Sequence, residues 1–339
     1  MPNDDMLILG AEDVAALLAG REEEVMATVG QAYRAHGQGQ SSLPQSLFLR
    51  FPDDDTNRII ALPAFLGDGF QVAGMKWVSS FPGNLKQGMA RASAVVVLNS
   101  CATGRPEAVL EGSLISAQRT AGSAALAART FLGGRTPAAV GFIGTGVINA
   151  EIARFLAVAL PGIPGLSVLD LDAARAERFA ADLRALPAYA GSEVRVTASV
   201  EDLLRDSPLV SFATTAIRPH VASLAACAPG TVVLHVSLRD LAPEAILGLD
   251  NVVDDVDHVC RAQTSVHLAE QLTGSRGFIR CTLAEILEGT APPRRDEGAV
   301  TVFSPFGLGV LDLAVAKSVY ERAREAGRGV RISGFLPAG

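Results

Sequence analysis

Gly144-Thr145-Gly146 stands between an apolar run, Ala138 to Ile143, and a stretch from Val147 to Leu160 with apolar residues at helical spacing. Pro161-Gly162 stops that helix, Leu166 to Leu169 reads as the next strand, and Asp170 ends it. Strand, glycine turn, helix, strand and acid together make a dinucleotide-binding unit. Gly144 permits the tight turn. Gly146 lets the backbone approach a pyrophosphate at the positive end of the helix opened by Val147 and Ile148. Asp170 is placed to accept two hydroxyls of an adenosine ribose and to repel a 2′-phosphate, which selects NAD over NADP. The third glycine of the pattern is Asn149 here, so the small contact between helix and strand is expected from Ala150. Methyltransferases and flavoproteins share such a turn, but the flavin version usually starts a chain, and here nearly half the chain comes first.

A second candidate is Asp240, in the segment HVSLRD after the strand-like run Thr231 to Val236. A carboxylate at the carboxyl end of a central strand is where an open α/β sheet puts chemistry, and it can serve as general base and acid. The alternative is an N-cap for a helix beginning near Pro243. Asp53-Asp54-Asp55 reads as a hairpin tip, since adjacent carboxylates rarely converge on one metal ion. Cys101, Cys227, Cys260 and Cys281 are scattered without CxxC spacing, so neither a metal site nor a disulfide framework is expected.

The elements that must position these groups follow from the pattern of apolar residues. Before the glycine turn come a strand at Met6 to Leu9, helices at Ala11 to Gly20 and Arg21 to His36, and strands at Ser41 to Arg50 and Asn57 to Pro63. Strands at Phe70 to Ser79, Ala94 to Asn99 and around Glu107 to Leu110 follow, and Ser116 to Leu132 is an alanine-rich helix. Up to about Ile115, before that last helix, this makes an α+β domain of roughly six strands and two helices. Beyond Asp170 strand and helix alternate: Ala173 to Leu186 helix, Val194 to Thr197 strand, Val200 to Arg205 helix, Pro208 to Ala213 strand. Thr231 to Val236, Asn251 to Asp254 and Ala299 to Phe303 are of strand type, and the helix Leu308 to Ala326 returns to the first domain. The expected class is α/β: a doubly wound parallel Rossmann sheet at 117–314, and an N-terminal α+β domain at 1–116 completed by 315–339.

At 339 residues, 49% hydrophobic and 19% charged, the chain is long enough for two folded domains. A net charge of −7 argues against nucleic acid or an anionic membrane as partner. The start, Met1-Pro2-Asn3-Asp4-Asp5, is acidic where a signal peptide would be basic, and Arg129 interrupts the apolar stretch Gly122 to Leu132. A cytoplasmic protein is expected.

With these segments placed, the chain resembles the ornithine cyclodeaminase and mu-crystallin family along nearly its whole length. The residues that carry the resemblance are GMKWVSS at Gly74 to Ser80, RASAVVVLN at Arg91 to Asn99 and TGRPEAVLEGSLISAQRTAGSAALAA at Thr103 to Ala128. The GTG turn, Asp170 and FSPFGLGVLDLA at Phe303 to Ala314 follow. KWVSS, Arg-Ala-Ser and SLIS-Q-RT look most like the branch that makes 2,3-diaminopropionate by oxidative cleavage of N-(1-amino-1-carboxy-2-ethyl)-glutamate, in siderophore and peptide-antibiotic pathways.

The resemblance implies roles for single residues. Lys76 matches the lysine that contacts the substrate carboxylate, against the plainer reading of a surface lysine on a strand. Ser93 and Arg119 match cofactor contacts, the arginine being otherwise a surface charge near a helix N-terminus. Thr214 matches a residue on the nicotinamide side, and Thr120, Ser237, Leu238 and Ser304 fall at further cofactor positions. Asp240 matches the catalytic aspartate. Two departures stand out: the early-strand arginine that holds the substrate carboxylate is Ser46 here, and the lysine four places after the catalytic aspartate is Glu244. Arg91, with Arg50, is in place to supply the missing charge, which suits a more acidic substrate.

The expected reaction is oxidative cleavage with NAD, giving 2,3-diaminopropionate, 2-oxoglutarate and NADH. Ornithine cyclodeamination, an imine reductase or amino-acid dehydrogenase of the same family, and a non-catalytic binder of small ligands are the alternatives. The resemblance also implies that the domain at 1–116 binds substrate and serves in dimerisation, with a homodimer joined through that domain's sheet.

Overall fold

The structure, a computed structural model, describes residues 5–337, so the expectation drawn from the acidic start Met1 to Asp5 lies, but for Asp5, outside the described residues. Contacts divide the chain into two compact units, Met1–Arg119 with Leu308–Gly339, and Thr120–Gly307.

In the first unit, β1 (Met6–Leu9), α1 (Ala11–Leu18) and α2 (Glu22–Gly37) lead into β2 (Ser41–Ser42), β3 (Leu47–Phe51), β4 (Asp54–Leu66), β5 (Val72–Ser80), β6 (Ala92–Asn99) and β7 (Pro106–Glu111). The single strand expected from Ser41 to Arg50 is two, because Pro44 lies within it and a proline has no N–H to give to a ladder. The Asp54 carboxylate closes the β3–β4 turn by accepting from the backbone N–H of Thr56 at 2.8 Å and of Asn57 at 2.9 Å. α3 (Ser113–Phe131) carries the chain into the second unit.

The second unit continues with β8 (Ala139–Ile143), α4 (Val147–Ala159), β9 (Gly165–Leu169), α5 (Ala173–Ala185), β10 (Glu193–Val196), α6 (Val200–Asp206), β11 (Leu209–Phe212) and β12 (Val232–His235). It closes with α7 (Pro243–Ile246), β13 (Asp250–Val253), α8 (Val256–Val259), α9 (Ser265–Thr273), β14 (Ile279–Thr282), α10 (Leu283–Leu287) and β15 (Thr301–Ser304). The chain then returns through α11 (Gly309–Ala326) and β16 (Val330–Ile332).

The first unit's sheet runs β16-β1-β7-β6-β5-β4-β2, with β3 also on β4. It has eight strands where six were expected, since β2 and β3 are separate and β16 adds an unforeseen antiparallel edge to β1. Alternation is clean: on β6, Ala94, Val96 and Leu98 are buried while Val95 is exposed. α11 packs on β4, β5 and β6 and on α1 and α2. The return falls at Leu308 rather than at 315 because α11 meets this sheet in its first turn: a Cβ on Gly309 would come 3.1 Å from the Leu62 carbonyl oxygen.

The second unit's sheet runs β10-β9-β8-β11-β12-β15-β13-β14 with every pairing parallel. β11, β12, β13 and β15 are buried along their whole length, as strands covered on both faces must be. From β8 the order runs outward to β9 and β10 on one side and to β11 and β12 on the other. The β8–β11 crevice is therefore the topological switch point, where open sheets of this kind bind ligands. No helix among the described residues is long and apolar enough to cross a membrane.

Candidate functional site

The glycine turn sits at that switch point. Gly144 has φ +85, and a Cβ there would lie 2.6 Å from the Ala213 carbonyl oxygen, so both backbone and space demand glycine. Gly146 is different: its φ is −86, and a Cβ would meet nothing within 4 Å. Neither conformation nor packing within the protein requires glycine at 146. The open space above it is where a pyrophosphate would rest on the first turn of α4, beside the exposed Val147, with Ile148 next along the helix. Asp170 accepts from the Thr145 amide at 2.9 Å and the Thr145 hydroxyl at 2.6 Å, and its other oxygen accepts from the Asp172 amide at 3.0 Å. Burial pushes this carboxyl up, but those donors outweigh it and hold it below the usual carboxylate range. It stays ionised, with lone pairs left for ribose hydroxyls. These residues fit a dinucleotide.

Asn149 corrects one expectation. The contact assigned to Ala150 is made by Asn149 itself, fully buried, whose side-chain N–H groups reach the carbonyls of Ile143 at 3.0 Å and Gly144 at 2.6 Å. Its oxygen accepts from the Ser211 hydroxyl at 2.7 Å. A polar brace thus ties the turn to β11.

Asp240 lies fully buried past the end of β12, in a turn where Leu238 has φ +69, a left-handed conformation that is costly for leucine. One carboxylate oxygen accepts from the Thr214 hydroxyl and lies 3.1 Å from His220 Nε2; the other accepts from the Ser237 hydroxyl and lies 3.5 Å from His235 Nε2. His235 Nδ1 is 3.2 Å from the Ser304 hydroxyl. Burial raises the Asp240 carboxyl, and the His235 imidazole with the Ser237 and Thr214 hydroxyls brings it well below the ordinary value. The helix at Pro243 is capped by Ala242, without a side-chain bond, so the capping alternative for Asp240 does not hold. Thr214, Ser237 and Ser304 are all brought to this centre, directly or through His235. His220 and His235 are members that sequence reasoning missed.

In the first unit, Lys76 on β5 is 3% exposed. Its ammonium donates to Asp312 at 2.7 Å and to the Ser116 hydroxyl at 3.1 Å. Arg119 Nε donates to the other oxygen of Asp312 at 3.0 Å. Neither cation is the surface charge of the plainer readings. Burial pushes the Lys76 ammonium down to about 8; Arg119 adds to this and Asp312 opposes it. Two cations share one carboxylate, so the cluster keeps a net positive charge, and burial of Asp312 is offset by both cations, which hold its carboxyl below the usual value.

Strand register extends this face. Lys76, Val78 and Ser80 point to one side of β5, and the pairing row Arg50–Arg58–Ser80 puts two arginines on that same side. Arg91, half-buried, donates to the Ser80 hydroxyl at 2.7 Å, and burial lowers its guanidinium pKa. Arg50 is exposed, its guanidinium 5.7 Å from the Phe48 ring centroid. Ser80 is four residues from Lys76, about 13 Å along the strand. Ser46 is buried beside this face, one residue before the Leu47–Ala61 pair, and its hydroxyl has no hydrogen-bond partner. Ser93 is not brought to this cluster: it pairs with Ser79 on the opposite face, their hydroxyls 2.9 Å apart. Thr120 opens the second unit.

The profile of the ornithine cyclodeaminase/mu-crystallin family matches residues 5–327. Alanine dehydrogenase of Archaeoglobus fulgidus is 28% identical over 98% of this chain and 99% of its own. N-((2S)-2-amino-2-carboxyethyl)-L-glutamate dehydrogenase of Staphylococcus aureus is 25% identical over 98% of this chain and 99% of its own. Among solved structures, an archaeal alanine dehydrogenase dimer with bound NAD superposes with a TM-score of 0.85 at 26% identity, over 97% of this chain and 99% of that one. The Delta(1)-pyrroline-2-carboxylate reductase of Thermococcus litoralis, in complex with NADH and L-proline, superposes with a TM-score of 0.86 at 25% identity, over 96% and 100%.

Proposed function

Since the chain belongs to the ornithine cyclodeaminase/mu-crystallin family, we propose that it is the NAD-dependent dehydrogenase that splits N-(1-amino-1-carboxy-2-ethyl)-glutamate into 2,3-diaminopropionate and 2-oxoglutarate. The chain is an oxidoreductase that acts on amino acids and uses NAD; the particular substrate is the proposal. When bound, NAD supplies the hydride acceptor. Asp240 accepts a proton from the substrate's secondary amine and returns protons during hydration of the imine and release of the product amine. Lys76 and Arg119 hold one carboxylate, with Asp312 fixing both cations in position.

The observation that carries this reading is the cationic face of β3–β6. Arg50, Arg58 and the Arg91–Ser80 pair lie on the side of Lys76, in register rows about 13 Å further along. A monocarboxylic amino acid needs one anion seat, whereas a substrate with three carboxylates needs several. Purified protein given NAD+ and N-(1-amino-1-carboxy-2-ethyl)-glutamate is expected to raise absorbance at the NADH wavelength with equimolar 2-oxoglutarate. No NADH from that substrate overturns the assignment.

A second reading, alanine dehydrogenase or reductase of a cyclic imine, draws on the 28% identity to the archaeal alanine dehydrogenase; NADH consumption with pyruvate and ammonia, or with a cyclic imine, tests it. Ornithine cyclodeamination is less well supported, since Ser46 stands where the ornithine-holding arginine is expected. We further propose a cytoplasmic homodimer that supplies 2,3-diaminopropionate for siderophore or antibiotic assembly. Leu47, Leu49 and Val95 lie exposed on the sheet face away from Lys76, a suitable surface for a second copy.

A further inference from the structure

The chemistry proposed for Asp240 leaves a proton to be disposed of. Oxidative cleavage converts a protonated secondary amine, NAD+ and water into a ketone, a primary ammonium, NADH and one free proton. The hydride carries the electron pair from the C–H bond, water supplies the carbonyl oxygen, and the C–N bond breaks towards the nitrogen. One proton must therefore reach solvent in each turnover. Asp240 is fully buried, so it does not exchange with water directly.

Four side chains surround its carboxylate. The hydroxyls of Thr214 and Ser237 donate to it, but a hydroxyl does not hold a second proton near neutral pH. His235 is fully buried, and its far nitrogen ends on the Ser304 hydroxyl, itself 1% exposed, so a proton passed that way stays inside. His220 differs from all three. Its Nε2 lies 3.1 Å from the Asp240 carboxylate while its side chain is 43% exposed. Its placement is firm, because the backbone amides of His220 and Val221 both donate to the Asp240 carbonyl at 2.9 Å, and Val221 forms a parallel bridge with Leu241. Imidazole is the side chain suited to accept a proton on one nitrogen and release it from the other.

We propose that His220 is a proton-relay residue acting through Asp240: it accepts the proton Asp240 has taken from the substrate and delivers it to solvent. This rests on the reading of Asp240 as the base, but it holds for any oxidation at this centre that releases a proton, alanine oxidation included.

The test pairs turnover with a readout that needs none. With the substrate the wild type oxidises, His220→Ala is expected to lower kcat about a hundredfold, the low end of what a positioned acid–base group contributes. Added imidazole should restore much of that loss, with NAD+ affinity unchanged, whereas His220→Phe, which fills the space, is not rescued. A structural role predicts loss without rescue; wild-type turnover in His220→Ala or loss that imidazole does not relieve overturns the relay. Independently, the 15N-imidazole signal of His220, assigned by its disappearance in His220→Ala, should move on Asp240→Asn and stay in place on Asp206→Asn. A signal indifferent to Asp240 overturns the relay whatever the substrate, while a wild type silent with every amino acid overturns only the functional reading.

Discussion

Both units bury charge, and they compensate for it in opposite ways. In the first, Lys76 and Arg119 lie on regular elements and are matched by a full opposite charge, Asp312 on α11. In the second, Asp240 sits past a strand end and is stabilised largely by the hydroxyls of Thr214 and Ser237 and the imidazole of His220 from loops and by His235 at the end of β12. Ion pairs on a strand and two helices make a fixed seat, with a net positive charge ready for an anion. Hydroxyl and imidazole donors hold the Asp240 carboxylate ionised without a salt-bridging lysine or arginine, so it meets a substrate ammonium in the form that accepts a proton. On the proposed function, the contrast is between a group that holds the substrate and a group that reacts with it.

The sharpest break of that contrast is at the reacting group. Asp240→Asn keeps the shape and removes the base, so turnover is expected to fall by about 10²–10⁴ with NAD+ affinity retained. Steady-state rates together with NADH-binding fluorescence check this, and equal losses in both would place Asp240 in the scaffold instead. The matching change at the holding group acts on the fold. Asp312→Asn leaves two buried cations without their carboxylate and is expected to cost about 3–5 kcal/mol, read from denaturant unfolding. Adding Lys76→Met to that variant should recover much of the stability and none of the activity, because one of the stranded charges is gone.

These two centres were not equally legible in the sequence. Asp240 and the glycine turn follow from strand ends in an alternating α/β pattern, where position along the chain nearly determines position in the sheet, while Thr214 and Ser237 came from the family resemblance. Lys76 and Asp312 are 236 residues apart, and nothing local announces that they meet. The available signal was an acid alone in the apolar run Leu308 to Ala316, since a lone charge on a buried helix face must find a partner. Arg58 was hidden in a strand described only by its β-branched neighbours, and register is what brings it to the face of Lys76. Asn149 was visible as a departure from glycine, but its brace to Ser211 depends on β11 lying beside β8, which a local reading does not contain. The edge strands β14 and β16 are too short, at four and three residues, to show a period of two convincingly.

The ammonium of Lys76 offers a subtler separation of holding from reacting. Its pKa is down to about 8 in the folded protein through burial, against about 10.4 for a free lysine side chain. Between those values the unfolded chain binds more protons than the folded one, so this residue makes unfolding free energy rise with pH across that window. Its attraction for a substrate carboxylate runs the other way, complete below about 8 and lost as pH climbs through it. KM is therefore expected to rise by up to about tenfold per pH unit above 8 while kcat holds. In Lys76→Arg, whose guanidinium stays charged, that alkaline limb should vanish. An unchanged limb would assign it to another group.

The smallest expected effect lies at Ser46, where the first unit departs from the family pattern. Its hydroxyl is buried without a hydrogen-bond partner, whereas the buried charges of Lys76 and Arg119 are matched by Asp312. Leaving such a group unsatisfied costs free energy, so Ser46→Ala is expected to leave stability unchanged or raise it by about 1 kcal/mol. If the hydroxyl is instead reserved for a substrate oxygen, the same change raises KM severalfold with kcat unaltered. A gain in stability joined to a loss in affinity would place Ser46 with the seat. A gain with no change in KM would make it a packing residue and leave anion binding to Lys76, Arg119 and the arginines on their face.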